Sequence, residues 1–156
     1  MDAWNVSLIQ QRSGPRVDDN LERATRLVAE AARDAQLVVL PELFCTSYEV
    51  SDWHAVAEPL QGGRYTRFLA DLAREHGVYL AGGSQPELAE GRVYNTATLF
   101  SPEGELLLHH RKVHLFDVDI PGGITFTESD FLAPGDQVSV AETELGTFGL
   151  AVCFDV

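Results

Sequence analysis

The sequence predicts a single α/β domain, and three observations support this prediction. An apolar run at residues 3–10 and the continuous apolar run LVVL at 37–40 flank a helical pattern, which gives a β-α-β order at the start of the chain. Mostly strand-like segments follow a second helical pattern. The 156 residues are 45% hydrophobic and contain no repeat or linker, so one domain over residues 1–156 with a sizeable core is expected.

The first half of the chain predicts two helices. Asp18 or Asp19 can cap a first helix, whose apolar face continues to about Ala35. Apolar residues at helical spacing over residues 65–76 predict the second, and Gly77 is suited to ending it in a left-handed conformation. Between them, the run LVVL reads as a strand that is covered on both faces and stopped by a proline.

The second half of the chain predicts a series of strands. Five segments have the required apolar character: 78–82, 93–100, 106–112, 138–142 and 148–154. The Pro102-Glu103-Gly104 sequence predicts a hairpin turn between the second and third of them. Residues 113–137 read as a long loop, and loops of this length inside a compact domain are usually functional.

Charge and composition exclude several classes of partner. The formal net charge of -13 repels nucleic acid and anionic lipid, and no apolar run approaches the roughly 18 residues that span a bilayer. The N-terminal sequence lacks the pattern of a secretory signal, so we expect a cytoplasmic protein. Its only two cysteines, Cys45 and Cys153, are far apart in apolar settings, and we expect both thiols to be free.

Three polar residues end apolar runs and could meet at one edge of the sheet. Glu42 follows LVVLP, Lys112 ends LLLHHRK, and Cys153 ends FGLAVC. Ligands of β-α-β sheets bind outside the carboxyl ends of the strands, where these side chains would converge. A carboxylate can take a proton from a thiol, and an ammonium can stabilise the oxyanion that forms when thiolate adds to a carbonyl. The trio therefore indicates nucleophilic catalysis.

Three motifs carry a resemblance to a known family. The segments VVLPELFCTSY, HRKVHLFDVDIPGGITFTES and FGLAVCFD, in this order, resemble the nitrilase (carbon-nitrogen hydrolase) superfamily, and within it the middle segment is most similar to the omega-amidases. The resemblance implies an αββα sandwich of the nitrilase type, hydrolysis of the terminal amide of small acids such as 2-oxoglutaramate or 2-oxosuccinamate, and a homodimer or higher homo-oligomer.

The resemblance also implies roles for individual residues. Glu42 matches the general base, Cys153 the nucleophile and Lys112 the oxyanion donor of the family. The backbone N–H of Phe154 would be the second oxyanion donor. Glu128 matches the second carboxylate, which positions the lysine and the substrate amide. Lys112, the only lysine of the chain, would thus lie where a positive charge is needed between two carboxylates.

Other residues of the motifs are weaker indications of substrate contacts or of a metal site. Phe44 and Tyr48 are candidate substrate contacts, although aromatic residues after a strand are more often part of a core. His109, His110 and His114 do not follow a metal-ligand spacing, and His109 and His110 would point to opposite faces of a strand. We therefore expect no metal, and the mechanism that the resemblance implies requires no organic cofactor.

The family resemblance leaves alternatives open. Its members continue well beyond the cysteine, so the resemblance implies a C-terminally incomplete domain, which we would expect to expose apolar strand faces. It could be an amidase that is active in a longer form, or a non-catalytic remnant that assembles with intact subunits. Aliphatic amides, N-carbamoyl amino acids, deaminated glutathione and nitriles are the alternative substrates.

Overall fold

Residues 3–156 are described by the computed structural model of the protein. Helices α1 to α3 span Val17–Ala31, Val50–Val56 and Arg64–His76. Strands β1 to β5 span Val6–Leu8, Leu37–Val39, Tyr79–Ala89, Arg92–Phe100 and Leu106–Arg111. Strands β6 to β9 span Asp117–Asp119, Thr125–Thr127, Val140–Thr143 and Gly146–Gly149, and Glu128–Asp130 and Cys153–Asp155 form 3-10 turns. None of these helices is long and apolar enough to cross a membrane.

The central sheet has five strands in the order β1-β2-β3-β4-β5. The first three are parallel, in keeping with the β-α-β order of the sequence, and Val38 of β2 pairs with Ser7 on one side and Leu80 on the other. The last three are antiparallel, and the predicted turn at Pro102-Glu103-Gly104 connects β4 to β5. Lys112 directly follows β5 and the Glu42 segment follows β2, so both extend from strand ends of the same sheet, with β3 and β4 between those strands.

Helices α1 and α3 cover one face of this sheet. Their apolar side chains pack against β2, β3 and β4 in a buried cluster that includes Leu21, Val28, Leu69, Leu72, Val38, Leu80 and Phe100. This amphipathic packing explains the helical spacing in the sequence. As predicted, Gly77 caps the end of α3, with a left-handed φ of 62°.

The opposite face of the sheet is covered only in part. The β8–β9 hairpin and the residues after it pack Ala141, Phe148 and Leu150 over Leu37, Ala81, Leu99 and Leu108. At the β1 edge the cover ends, and 78% of Leu8 is exposed to solvent. The helix layer, the sheet and this hairpin are the parts of a sandwich that residues 3–156 provide.

Several sequence-predicted boundaries were wrong. Helix α1 ends at Ala31 rather than near Ala35, because the chain turns there and the Asp34 carbonyl accepts a hydrogen bond of 2.8 Å from the Asn5 side chain. Helix α2 was not predicted. Residues 113–137 are not structureless, since β6 and β7 pair within them as a hairpin. The last predicted strand, 148–154, ends at Gly149, and Cys153 lies in a 3-10 turn instead.

Candidate active site

Lys112 is buried between two carboxylates at the end of β5. Its backbone N–H donates to the Asn95 carbonyl at 2.8 Å, which continues the pairing with β4. Only 2% of Lys112 is exposed, and its Nζ donates to Glu128 Oε2 at 2.8 Å and lies 3.5 Å from Glu42 Oε1. Burial lowers the pKa of Lys112, but the bond to Glu128 and the charge of Glu42 outweigh it and raise the pKa above its ordinary value. The ammonium therefore stays charged at neutral pH.

Glu42 reaches the site because the chain after β2 crosses closely over β3. A Cβ on Gly83, whose φ is 61°, would lie 2.0 Å from the Pro41 carbonyl oxygen, so glycine is required for this approach. Two neutral donors hold the Glu42 carboxylate in addition to Lys112. The Asn95 side chain donates to Oε1 at 2.8 Å, and the Tyr48 hydroxyl donates to Oε2 at 3.1 Å.

Glu128 lies in the 3-10 turn that follows β7. Its side chain is buried, and Oε2 accepts hydrogen bonds from Lys112 Nζ at 2.8 Å and from the Phe116 N–H at 2.6 Å. The β6–β7 hairpin brings Glu128 back to β5, because its backbone N–H also donates to the Phe116 carbonyl at 3.2 Å. The segment 113–137 thus returns a carboxylate to the lysine 16 positions earlier in the chain.

Cys153 is exposed and has an unusual backbone conformation. Its φ of 48° lies in the left-handed region, which costs a residue with a side chain of the order of 1 kcal/mol or more. Burial of the thiol and the negative charge of Glu42 raise the pKa of Cys153, while the charge of Lys112 opposes this rise. At neutral pH the site therefore holds a protonated thiol beside the charged ammonium of Lys112.

The structure adds Asp155, a residue that the sequence reasoning missed. Its carboxylate is buried and joins the Cys153 turn to the residues that follow Lys112, with the Val113 and His114 N–H groups donating at 3.0 and 2.8 Å. A signal was present in the sequence, since Asp155 ends the apolar stretch FGLAVCF and an acid in that position must be paired if it is buried.

The three remaining predicted residues lie in different environments. Phe154 follows Cys153 in the same 3-10 turn, and its ring packs edge-on against Phe116 with 5.3 Å between centroids. Tyr48 is 62% exposed and its hydroxyl lies beside Glu42, so Tyr48 remains a candidate contact. The assignment of Phe44 to substrate binding is corrected: its side chain is fully buried against Tyr65 and Phe68 in the helix-side core.

A small cavity adjoins the nucleophile and the base. It has a volume of about 190 Å³ and is lined by Glu42, Cys153 and mostly apolar side chains, among them Ala81 and Leu150. A larger cavity of about 440 Å³ runs along β5 and the segment 136–140, but none of the four predicted catalytic side chains lines it. Within residues 3–156, no group of three or more His, Cys, Asp or Glu residues is arranged to hold a metal ion.

Comparison with known proteins places this geometry in a family. The carbon-nitrogen hydrolase family matches residues 5–156. The omega-amidases NIT2 of Xenopus tropicalis and Homo sapiens are 45% and 41% identical to the chain over 157 residues, which cover 100% of the chain and 56% of each relative. The chain thus spans about half the length of these curated relatives.

Solved structures agree with this result and confirm the predicted nitrilase-type α/β fold. Saccharomyces cerevisiae Nit3, a member of branch 10 of the nitrilase superfamily, superposes with a TM-score of 0.84 at 33% identity, covering 96% of this chain and 55% of that one. An amidase from Nesterenkonia sp. superposes with a TM-score of 0.79 at 28% identity, covering 96% and 55% respectively. With the match over residues 5–156, these similarities show that the chain belongs to the carbon-nitrogen hydrolase family.

Proposed function

We propose that this chain carries the catalytic residues of a thiol amidohydrolase. Its substrate would be the terminal carboxamide of a small acid of the 2-oxoglutaramate or 2-oxosuccinamate type, and its products a carboxylate and ammonia. The observation that carries the proposal is the buried ammonium of Lys112, held by Glu42 and Glu128 beside the exposed thiol of Cys153. The omega-amidase names of relatives at 41–45% identity support the choice of substrate class.

The first half of the reaction forms a thioester. Cys153 Sγ attacks the amide carbonyl carbon while the thiol proton passes to Glu42. Lys112 has three N–H donors, of which two face Glu128 and Glu42, so the third is available to the oxyanion together with the Phe154 N–H. Collapse of the tetrahedral species breaks the C–N bond, and Glu42 returns its proton to the leaving nitrogen, which departs as ammonia.

The second half of the reaction hydrolyses the thioester. Glu42 takes a proton from water as the water oxygen adds to the acyl carbon, and the oxyanion again lies against Lys112. The C–S bond then breaks, the product leaves as a carboxylic acid that ionises, and the proton on Glu42 restores the Cys153 thiol. Tyr48 and Asn95 keep the carboxylate in place through both halves, since each donates to one of its oxygens.

The test is release of ammonia by the purified chain. We expect ammonia from 2-oxoglutaramate and 2-oxosuccinamate with the wild-type sequence and none with Cys153→Ala. Cys45→Ala is the matched control, because Cys45 is fully buried in the helix-side core and burial raises its pKa to about 12. Nitriles and N-carbamoyl amino acids are assayed in parallel. Cysteine-dependent turnover confined to those compounds would refute the substrate class, and ammonia release that survives Cys153→Ala would refute the mechanism.

A further inference from the structure

Asp155 receives five hydrogen bonds from both sides of the site. Its Oδ1 accepts from the N–H groups of Val113 and His114 at 3.0 and 2.8 Å and from His114 Nδ1 at 3.2 Å. Its Oδ2 accepts from the Val152 N–H at 2.9 Å and from His110 Nε2 at 2.8 Å. The donors flank Lys112 on one side and precede Cys153 on the other.

The carboxylate is suited to this position because it remains ionised. Only 6% of the Asp155 side chain is exposed, and burial by itself would raise its pKa. The hydrogen bonds from the His114 backbone, the His110 ring and the Val152 and Val113 N–H groups outweigh burial and hold the pKa of Asp155 well below its ordinary value. A buried anion with five donors is costly to displace.

The same contacts enclose the strained residue. The Asp155 side chain accepts from the Val152 N–H, and the Asp155 N–H donates to the Val152 carbonyl at 3.0 Å, so the residues on either side of the Cys153-Phe154 pair are joined twice. A left-handed φ at a residue other than glycine persists only where surrounding contacts enforce it. Asp155 supplies such contacts to Cys153, whose φ is 48°.

We propose that Asp155 is a positioning residue that fixes the Cys153 turn to the end of β5, so that the thiol stays beside Glu42 and Lys112. The inference rests on the proposed role of Cys153 as nucleophile. Asp155 acts through the backbone and through His110 and does not itself touch the substrate.

The experiment measures the alkylation of Cys153 in two variants, each of which replaces one buried carboxylate by an amide. Asp155→Asn keeps the shape of the side chain but loses acceptor capacity on one side. Glu87→Gln is the matched control, because the Glu87 carboxylate is as buried as that of Asp155 and accepts three hydrogen bonds, but lies with Arg111 outside the site. The rate of reaction with iodoacetamide is measured from pH 6 to 10 with quantification of each labelled thiol, and Cys45 serves as the buried internal reference.

If Asp155 positions the turn, Asp155→Asn moves the thiol away from Glu42. The pH at the midpoint of the Cys153 alkylation profile then falls towards that of an ordinary thiol. Glu87→Gln keeps the wild-type midpoint. Where amide turnover is measurable, kcat falls about tenfold or more in Asp155→Asn while KM stays within about twofold. Equal midpoints in Asp155→Asn and the wild-type chain would overturn the proposal.

A second variant keeps the proposal testable if Asp155→Asn does not fold, and the alkylation measurement does not depend on turnover. His110→Phe removes a single donor to Asp155 Oδ2, and it should shift the midpoint in the same direction by a smaller amount. If Asp155→Asn does not fold, an unshifted His110→Phe profile overturns the proposal by itself. Alkylation needs no substrate, so a chain that releases no ammonia from any amide still gives a decisive result here.

Discussion

The Nζ of Lys112 lies 2.8 Å from Oε2 of Glu128, and both side chains are almost completely buried. Glu42 Oε1 lies 3.5 Å from the same nitrogen. One ammonium therefore lies against two carboxylates, and Glu128, which is as buried as the lysine, depends on it most. The Glu42 side chain is 18% exposed and also accepts hydrogen bonds from Asn95 and Tyr48. This relationship makes Lys112 both a structural and a chemical residue, and the two roles can be separated by experiment.

We expect Lys112→Met to lower the free energy of unfolding by about 3–5 kcal/mol, because it leaves Glu128 buried without a counter-ion. Amide turnover should fall by at least about 10²-fold with the loss of an oxyanion donor. The double variant Lys112→Met/Glu128→Gln should regain most of the stability but no turnover. Urea unfolding and ammonia release measure the two quantities.

The pH of that measurement matters. The pKa of Lys112 is raised in the folded chain, so its stabilising contribution is fully present below the ordinary lysine pKa of about 10.4 and is lost only as pH rises through the folded value. The free energies of unfolding of the wild-type chain and its Lys112 variants are therefore best compared between pH 7 and 8. Wild-type turnover in Lys112→Met would contradict the proposed mechanism.

Glu42→Gln should change turnover and thiol reactivity in opposite directions. Removing the base stops amide hydrolysis, but it also removes the negative charge that raises the pKa of Cys153. More of the thiol is then ionised at pH 7.5, and alkylation by iodoacetamide should become severalfold faster. Glu75→Gln, on the exposed side of α3, is the control that should change neither. A slower alkylation in Glu42→Gln would count against the electrostatic coupling of the two residues.

Tyr48→Phe tests the hydroxyl that holds the base. The variant keeps the ring and loses the hydrogen bond to Glu42 Oε2, so kcat should fall about fivefold, which corresponds to ~1 kcal/mol, with little change in KM. If the ring of Tyr48 contacts the substrate as the sequence suggested, Tyr48→Ala should in addition raise KM. Unchanged kcat in Tyr48→Phe would show that Asn95 and Lys112 are sufficient to hold Glu42.

Glu87→Gln should lower stability without affecting the site. Glu87 binds the Arg111 guanidinium through two bonds of 2.6 and 2.9 Å and accepts from the Thr96 hydroxyl at 2.6 Å. We expect a loss of about 2 kcal/mol at pH 7, less than for a fully buried pair because Arg111 can reach water. Turnover per folded molecule should be unchanged.

At acid pH, the difference in the free energy of unfolding between Glu87→Gln and the wild-type chain should disappear. Burial opposes ionisation of Glu87, but the bonds from Arg111 and Thr96 lower its pKa in the folded chain. Its contribution is therefore complete above the unfolded glutamate pKa of about 4.3 and is lost as pH falls through the lower folded value. Urea unfolding at pH 7, 5, 4 and 3 measures the effect. A difference that persists undiminished at pH 3 would contradict the assignment.

Sequence patterns predicted most of the sheet and the convergence of the polar residues. Strong periodicity and the turn at Pro102-Glu103-Gly104 were sufficient for α3, β4 and β5, whereas the strand predicted over 78–82 continues to Ala89 as β3. Helix α2 was missed because seven residues are too short to show a helical period. The hairpin of β6 and β7 was missed although Val118, Ile120, Ile124 and Phe126 alternate around a PGG turn, since each strand has only three residues.

The prediction of the site contained one error and one omission, and each has a physical cause. Phe44 is close to Glu42 in sequence, but the left-handed φ of 50° at Leu43 turns the chain between them and sends the phenyl ring into the core. No sequence pattern encodes that turn. The sequence showed an acid at the end of an apolar stretch, but four of the donors to Asp155 lie 41 to 45 positions earlier in the chain, and only the folded structure shows that they meet it.

The left-handed backbone at Cys153 has an evolutionary consequence. Glycine is the residue that folding alone would favour there, so Cys153→Gly should be neutral or up to about 1 kcal/mol stabilising, while it removes the proposed nucleophile. Position 153 is then a point of conflict between selection for stability and selection for chemistry. A β-branched residue such as valine would satisfy neither demand. Divergent copies of such a gene that no longer need the thiol would be expected to drift towards glycine at this position.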